Sequence, residues 1–307
     1  MKFTIYQDSR QGPRNYNQDR VAYSYSKDAL LTVLADGMGG HRNGEVAAQF
    51  AIEVLTESFQ RMARPTLANP FKFLDEHIRQ VHDAIDRHAL LSDMPEPPRT
   101  TIVTALVQHD ALYCAHAGDS RLYHFRNGQL LFRTEDHSKV QMLYRKGLIS
   151  KEEMLTHPER NKIYNCVGGE EQPQIEMASK RDLQDGDIVL LCTDGLWTLL
   201  EEEEIAAILQ NGPVTDTVPV LFDLAESRAD QSGDNMSAVA FSWGNHAYSG
   251  FSVSTAMMPL DLNTTIRDFT RERHRDENTD NSDSSLGDDD IERAIAEIHA
   301  ALDKIPK

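Results

Sequence analysis

Two short apolar runs in the chain end in the same dipeptide, an aspartate followed by a glycine. Residues 31–35 lead into Asp36 and Gly37, and residues 188–193 lead into Asp194 and a second glycine. Apolar runs of this length are typical of buried strands, so each aspartate places a carboxylate at a strand end. The glycine lets the chain turn sharply and point a backbone carbonyl at the same ligand. Because hard cations prefer such oxygens, the pattern predicts cation binding.

Two further aspartates stand next to apolar runs in a similar way. Asp119 follows residues 111–117, and Asp234 shortly precedes residues 236–243. An Asp-Gly pair alone also marks an ordinary turn, which is our interpretation of Asp185 at the start of a strand. If two sheets bring the four strand ends together, the carboxylates need cations, since unpaired buried charge is very costly. Histidine and cysteine are absent from these positions, which favours magnesium or manganese over zinc.

The composition narrows the class of protein. A chain of 307 residues that is 40% hydrophobic can form one large domain or two small ones. The formal net charge of -18 argues against nucleic acid or an anionic membrane as a partner, because no basic stripe offsets the repulsion. Three cysteines without CxxC spacing fit a reducing compartment. The N-terminus lacks a signal-peptide pattern, and no apolar stretch reaches the roughly 20 residues that span a bilayer. The sequence therefore predicts a cytoplasmic protein with no membrane span and no nucleic-acid partner.

Strand and helix patterns succeed one another up to residue 243. Strands are predicted at 2–7, 21–26, 30–35, 100–108, 111–117, 121–125, 129–133, 174–178, 187–193 and 236–243, and helices at 44–62, 74–88, 139–145, 202–209 and 214–229. The first three strands are predicted to form a meander, Asn127-Gly128 predicts a tight hairpin turn, and His77 and His82 are predicted to face solvent. Many antiparallel strands with two pairs of helices predict an α+β fold, a four-layer α/β/β/α sandwich of two antiparallel sheets flanked by helices.

The chain changes character after residue 243. Residues 244–290 carry few apolar clusters and many Ser, Thr, Asp and Asn, which predicts a flexible acidic linker. Residues 291–304 repeat apolar residues on one helical face after three consecutive aspartates, which predicts a C-terminal amphipathic helix. Such a helix either packs on its own domain, covers the functional site, or docks on a partner such as a kinase, a secretion-system component or a scaffold.

The order of the motifs resembles that of the metal-dependent protein serine/threonine phosphatases, the type 2C or PPM family, in its bacterial single-domain form. The resemblance covers residues 1–243 and rests on Arg14-Asn15-Tyr16-Asn17-Gln18-Asp19, Asp36-Gly37-Met38-Gly39-Gly40-His41, Thr100-Thr101, Gly118-Asp119-Ser120-Arg121, Asp136-His137-Ser138, Asp194-Gly195 and Gly233-Asp234-Asn235. It implies hydrolysis of phosphoserine and phosphothreonine in proteins by a metal-activated water, with two Mn²⁺ or Mg²⁺ ions and a third, weaker one. It also implies phosphorylated protein substrates and a cognate bacterial Ser/Thr kinase that the enzyme opposes.

The resemblance assigns the two main ions to residues at the strand ends. Asp36 would bridge both ions, and the carbonyl of Gly37 would bind the second. Asp194 and Asp234 would hold the first ion. Asp19 would act on the second ion through water.

Two further positions concern the ions. Asp119 matches the family position that helps to hold the third ion. Gln18 departs from the family, because many relatives carry a glutamate there, and glutamine keeps the oxygen but loses the charge.

The resemblance also suggests groups that handle the substrate. Arg14 matches the arginine that grips the substrate phosphate, a role that suits a planar guanidinium. Relatives often have a histidine directly after the first Asp-Gly, but here that position is Met38 and the histidine comes later as His41. His41 is either the proton donor or a group that orients a ligand, or it makes a hydrogen bond at a helix start. His137 is interpreted as structural.

One alternative function comes from a different class of protein. The same fold could serve as a catalytically idle phosphoprotein-binding or scaffold module. Missing metal ligands would favour that alternative, and none of the main carboxylates is missing from the sequence.

Overall fold

The computed structural model describes residues 1–38, 43–231, 233–244 and 252–268. The strands are β1 (Lys2–Arg10), β2 (Asp19–Tyr25), β3 (Ala29–Met38), β4 (Arg99–Thr100), β5 (Ile102–Gln108), β6 (Ala111–Ala117), β7 (Arg121–Arg126), β8 (Gln129–Arg133), β9 (Val167–Gly168), β10 (Glu176–Met177), β11 (Arg181–Asp182), β12 (Ile188–Cys192), β13 (Met236–Trp243), β14 (Ser252–Ser254) and β15 (Thr264–Asp268). The helices are α1 (Gly44–Met62), α2 (Pro70–Leu91), α3 (Lys139–Arg145), α4 (Lys151–Thr156), α5 (Asp194–Trp197), α6 (Glu202–Gln210) and α7 (Val214–Arg228).

The strands form two antiparallel sheets. The first sheet has the order β14-β1-β13-β12-β7-β8, and the second has the order β10-β6-β5-β3-β2-β15. The two sheets face each other across a shared apolar core. Helices α1 and α2 cover the outer face of the second sheet, while α5, α6 and α7 cover that of the first. This arrangement confirms the predicted α/β/β/α sandwich.

Both faces of β3 are buried, which explains why its apolar run is continuous. Leu30 and Leu34 point into the core between the sheets, whereas Leu31 and Val33 pack under the helices. Successive side chains of a strand point to opposite faces, so a strand covered on both sides needs apolar residues at every position. The carboxylate of Asp36 therefore lies just where this covered run reaches the edge of the sandwich.

The predicted meander of the first three strands is wrong for β1. β1 pairs with β13 from Phe3↔Trp243 to Arg10↔Met236, in the first sheet, while β2 pairs with β3 in the second. Residues 11–18 thus cross from one sheet to the other. Periodicity within a strand carries no information about which partner offers the matching backbone groups, so the pattern could not reveal this crossing.

Residues 252–268 belong to the segment 244–290 that was predicted to be a flexible linker, but they contain two strands in the structure. β14 pairs with the edge of β1, and β15 pairs with the edge of β2. Edge pairing uses backbone groups, so it does not require the apolar pattern that marks a core strand. The Arg267 guanidinium also donates a hydrogen bond to Thr56 Oγ1 on α1 at 3.1 Å. The predicted helix at 291–304 lies outside the described residues.

Two histidines of α2 are buried, contrary to the prediction. The His77 ring nitrogen Nδ1 lies 2.7 Å from the carbonyl oxygen of Phe73, and His82 Nδ1 accepts a hydrogen bond from the Gly168 N–H at 3.1 Å. α2 contacts both α1 and β9, so it buries a wider face than its apolar stripe suggests. Across the ranges that the structure describes, no helix is long and apolar enough to cross a membrane.

Candidate metal centre and active site

Five carboxylates meet where strands of both sheets end. Asp19 begins β2 and stands directly opposite Asp36 on β3 in the antiparallel register. From their positions in the chain, Asp119 lies in the turn between β6 and β7, Asp194 begins α5 after β12, and Asp234 lies just before β13. The pKa of Asp36 is raised by burial and then by the charges of all four other aspartates, so the structure brings the whole predicted set together.

Burial and mutual repulsion raise the pKa values of four of the aspartates, which are Asp19, Asp36, Asp119 and Asp194. Burial raises the pKa of Asp19 to about 7, although the Ser237 and Thr193 hydroxyls act in the opposite direction. Burial also raises the pKa of Asp194 to about 6, with the charge of Asp234 adding to the effect. The pKa of Asp119 is raised well above its usual value by burial and by Asp194. A divalent cation reverses this balance, because its charge stabilises ionised carboxylates.

Two unpaired carboxylate oxygens indicate that the site suits hard cations. Asp119 Oδ1 and Asp194 Oδ1 are buried and have no hydrogen-bond partner among the described residues. Buried carboxylate oxygens are normally satisfied, so oxygens left free at an acidic cluster indicate a place for a ligand. The donor set consists of oxygens, which suits Mg²⁺ or Mn²⁺.

Gly37 allows two backbone segments to approach closely at the site. A Cβ atom at this position would lie 2.2 Å from the Gly44 carbonyl oxygen and 2.7 Å from that of Gln18. The close approach brings the end of β3 against the start of α1 and the end of the 11–18 loop. A residue with a side chain would force these segments apart.

The adjacent Thr100 and Thr101 hold the backbone of Asp36. Thr100 Oγ1 donates to the Asp36 carbonyl oxygen at 2.9 Å, and the Thr101 N–H donates to the same oxygen at 2.8 Å. Thr101 Oγ1 accepts the Asp36 N–H at 3.1 Å and lies 2.7 Å from Ser120 Oγ. The sequence showed these threonines only as part of a motif. In the structure they hold the backbone of Asp36 in place through three hydrogen bonds.

Arg14 lies beside the carboxylates in the crossing loop. Its Nη2 donates to Asp234 Oδ2 at 2.8 Å, and its Nε donates to the carbonyl oxygen of Gly233 at 3.1 Å. Its side chain is 53% exposed, so the guanidinium is accessible from solvent. His41 lies outside the described residues. Gln18 donates from Nε2 to Glu45 Oε2 at 3.2 Å.

Arg121 connects the motif that carries Asp119 to the motif at residues 136–138, a link that sequence reasoning did not make. It forms a fork of two 2.7 Å hydrogen bonds with Asp136 and stacks 3.4 Å above the ring of Trp197. Trp197 Nε1 in turn donates to the backbone carbonyl of Asp119 at 3.0 Å. The motifs around residues 118–121 and 136–138 were the available signal, but spacing alone could not show that they support Asp119.

His137 also supports the segment that carries Asp119. Its Nδ1 accepts hydrogen bonds from the Gly118 N–H at 3.1 Å and from Asn165 Nδ2 at 2.7 Å. Because Nδ1 accepts two donors, the proton is on Nε2, which faces Glu176 Oε2 at 3.2 Å. His116, His137 and Glu176 form a group whose potential metal-ligand atoms all lie within 4.8 Å of one another. Since Nδ1 is already occupied by two hydrogen bonds, one of them from the backbone next to Asp119, His137 acts as a structural residue, as predicted from the sequence.

The fold and the acidic, all-oxygen site together define the class of metal-dependent phosphatases. A family model described as "Protein phosphatase 2C" matches residues 7–236, more than half of the chain. The chain belongs to this family, as the motif order indicated, and it is an enzyme, a metal-dependent protein phosphatase.

Relatives and solved structures agree with this assignment. The "Serine/threonine phosphatase stp" of Listeria innocua is 32% identical over 200 residues, which is 64% of this chain and 79% of the relative. The catalytic domain of serine/threonine protein phosphatase PstP, solved with two manganese ions, superposes with a TM-score of 0.67 and 31% identity over 78% of this chain and 98% of that one. PppA, titled a key regulatory component of T6SS in Pseudomonas aeruginosa, superposes with a TM-score of 0.65 and 28% identity over 78% of this chain and 97% of that one. The alternative of an idle binding module is not favoured.

Proposed function

We propose that this protein removes phosphate from phosphoserine and phosphothreonine in proteins, with two bound Mn²⁺ or Mg²⁺ ions. The observation that carries the proposal is the meeting of Asp19, Asp36, Asp119, Asp194 and Asp234 at one edge of the sandwich. Two of their buried oxygens have no hydrogen-bond partner in the part of the chain that the structure describes. The relatives named serine/threonine phosphatases support the substrate class.

The carboxylates have unequal parts in holding the ions. Asp36 lies among the other four aspartates and would serve both ions, while the Gly37 carbonyl would serve the second. Asp194 and Asp234 repel each other directly and form the pair that would hold the first ion. Asp19 serves the second ion through water. Two divalent ions held in this way supply a nucleophilic water at neutral pH and neutralise charge on the phosphoryl group.

Arg14 binds and orients the substrate. Its guanidinium is exposed beside Asp234 and forks onto phosphoryl oxygens, which places phosphorus at the carboxylate edge. Fixing the phosphoryl group there aligns the leaving serine or threonine oxygen opposite the attacking water. His41 is the proposed proton donor to that oxygen or a group that orients a ligand.

A third ion belongs to Asp119. Its free Oδ1 is buried, and Arg121 and Trp197 support the backbone that carries it. Activity measured with Mn²⁺ and with Mg²⁺ at the same concentration shows which of the two metals the enzyme uses.

The biological setting of the proposal is cytoplasmic. The substrates are phosphorylated proteins, and the enzyme opposes a cognate Ser/Thr kinase. The helix proposed at 291–304 follows the acidic segment and, in this proposal, docks on a scaffold or secretion-system partner. β15 ends at Asp268 opposite Val21, two residues from Asp19, so the chain after residue 268 starts near the carboxylate edge.

The proposal is tested by hydrolysis of a phosphothreonine peptide with millimolar Mn²⁺. Asp36→Asn and Asp194→Asn should lose nearly all activity, whereas Asp83→Asn, at an exposed position of α2, should keep it. Failure of the unmodified protein to hydrolyse the peptide, or full activity of both site variants, would overturn the proposal.

The tail is tested separately by ending the chain after residue 268. This truncation keeps β14 and β15 in place, so it removes only the proposed linker remainder and helix. Equal rates of full-length and truncated protein on peptide, with slower turnover of a native phosphoprotein by the truncated form, would support partner docking. Equal rates on both substrates would contradict it.

A further inference from the structure

A buried threonine hydroxyl connects Asp19 to the first sheet. Thr193 is fully buried, and its Oγ1 lies 3.0 Å from Asp19 Oδ2. The Ser237 N–H donates to the same Oγ1 at 3.0 Å. A backbone N–H can only donate, so the Thr193 hydroxyl accepts from Ser237. When the Asp19 carboxylate is ionised, as it would be beside a bound cation, it can only accept, so the Thr193 hydroxyl donates its proton to Asp19 Oδ2.

The backbone of Thr193 is held as firmly as its side chain. Its N–H donates to the Ser237 carbonyl oxygen at 3.0 Å, which continues the pairing of β12 with β13 beyond Cys192↔Ala238. The hydroxyl that reaches Asp19 is therefore carried by a segment whose backbone is part of the first sheet.

A second set of hydrogen bonds holds the backbone of Asp19. Its N–H donates to Asn17 Oδ1 at 3.0 Å, and Asn17 Nδ2 donates to Ser9 Oγ at 2.8 Å. Ser9 Oγ lies 2.7 Å from Ser237 Oγ. The main chain of Asp19 is thus held by a second set of contacts that also reaches Ser237, while the Thr193 hydroxyl contacts its carboxylate at Oδ2 beside the Ser237 hydroxyl.

The contact also joins the two sheets at the candidate metal centre. Asp19 belongs to β2 of the second sheet, whereas Thr193 directly precedes Asp194 at the end of β12 of the first sheet. One residue therefore orients a carboxylate from one sheet and adjoins a carboxylate from the other. A shift of one sheet relative to the other would strain this contact and change the distance between the two carboxylates.

We propose that Thr193 is a positioning residue of the metal centre, whose hydroxyl holds the Asp19 carboxylate in the orientation that serves the second ion. This inference rests on the proposed function, because it needs Asp19 to act on a bound ion. Thr193 itself touches neither ion nor substrate in this role. Outer groups that orient ligands typically change metal affinity or activity by about 10- to 100-fold when they are removed.

The test is Mn²⁺ binding by calorimetry in the absence of substrate. Thr193→Val removes the hydroxyl at nearly constant volume, and Thr193→Ser keeps it. We expect Thr193→Val to weaken the binding of one ion by about tenfold or more, while Thr193→Ser stays within about threefold of the unmodified protein. The Mn²⁺ concentration that gives half-maximal activity should rise by the same factor, with KM for the phosphopeptide unchanged at saturating metal.

Thr104→Val is the matched control. Thr104 is also fully buried in a strand, and its hydroxyl donates to the Ala115 carbonyl oxygen at 3.0 Å, away from the carboxylates. If Thr104→Val weakened Mn²⁺ binding as much as Thr193→Val, the effect would be general destabilisation and the inference would be overturned. Thr193→Ala replaces Thr193→Val if circular dichroism shows that the valine variant is unfolded.

The outcomes separate this inference from the function on which it rests. Unchanged Mn²⁺ affinity in folded Thr193→Val or Thr193→Ala, with active unmodified protein, overturns the role of Thr193 alone. An unmodified protein that binds no Mn²⁺ and hydrolyses no phosphopeptide overturns the proposed function, and the inference with it.

Discussion

Asp19 and Asp36 stand directly opposite each other on the antiparallel pair β2 and β3. Like charges at such positions destabilise a sheet, because side chains directly opposite lie about 5 Å apart. The charge of Asp19 is the largest contribution after burial to the raised pKa of Asp36. The register of one strand pair thus creates a repulsion that bound cations relieve.

Bound Mn²⁺ should stabilise the fold. A ligand that binds only the native state adds about 2.7 kcal/mol at a concentration one hundred times its dissociation constant. Calorimetric melting with saturating Mn²⁺ should therefore show a higher Tm than melting with EDTA. Asp36→Asn should lose most of the shift, and an unmodified protein whose Tm ignores Mn²⁺ would speak against a metal centre.

Asp36 and Asp194 should differ in how many ions they control. Asp36→Ala should abolish binding at both main positions, because the bridge serves both ions, whereas Asp194→Ala should abolish one. Calorimetric titration with Mn²⁺ measures the stoichiometry of each variant. Asp83→Ala, at an exposed site of α2, should bind like the unmodified protein. Equal losses in the two site variants would argue that no bridging carboxylate exists.

Arg14 should act on substrate binding more than on metal binding. Hydrogen bonds to charged groups contribute about 1.5–3 kcal/mol, so Arg14→Ala should lower kcat/KM by about 10- to 100-fold. Arg14→Lys should recover only part of this loss, since an ammonium does not form the fork. Arg79→Ala, which removes a surface ion pair with Asp75, is the control. Unchanged kcat/KM in Arg14→Ala would remove the phosphate-binding role.

Asp187 should make stability depend on pH in the acid range. It is buried, and although burial opposes ionisation, hydrogen bonds from Arg126 and His124 lower its pKa to about 2. Between that value and the unfolded pKa near 3.9, the unfolded state binds more protons than the native state. The contribution, about 2 kcal/mol, is nearly complete above about pH 5 and is lost as the pH falls toward 2.

Urea unfolding in EDTA, from pH 5 to pH 2.5, measures this contribution as the difference between unmodified protein and Asp187→Asn. The difference should shrink as the pH falls. A difference that stays constant over this range would show that the Asp187 carboxylate does not carry the effect.

Residues 252–268 should contribute to stability. They close the free edges of β1 and β2, and Arg267 contacts Thr56 and Glu57 on α1. Ending the chain after residue 244 should lower Tm and expose two edges to intermolecular pairing. Ending it after residue 268 should leave Tm unchanged. Sedimentation of both forms checks the association, and equal Tm values would favour a plain linker.

Local patterns predicted much of the architecture correctly. Asn127 and Gly128 both adopt positive φ, at 50° and 72°, in the hairpin that their types predicted between β7 and β8. The continuous apolar runs of β3 and β12 correctly indicated strands covered on both faces. Such features depend on neighbours in the chain, so the sequence displays them directly.

Long-range pairing accounts for the differences. His82 lies outside the apolar stripe of α2, which predicted a surface position, yet it accepts a hydrogen bond from Gly168, far along the chain. β15 escaped notice because its pairing with β2 relies on backbone groups that every residue possesses. Neither partner is visible within one segment.

The sequence by itself determined the chemical types at the site: four aspartates at strand ends, a fifth in the first motif, glycines that permit close turns, and an arginine in a loop. Only the tertiary structure decided which of their atoms meet. The opposition of Asp19 and Asp36, the hydroxyl of Thr193 on Asp19, and the support of Asp36 by Thr100 and Thr101 all arise between segments distant in the chain. Residue types and spacing specify which groups can bind a cation, whereas their orientation depends on contacts that exist only once distant strands pair and the two sheets pack.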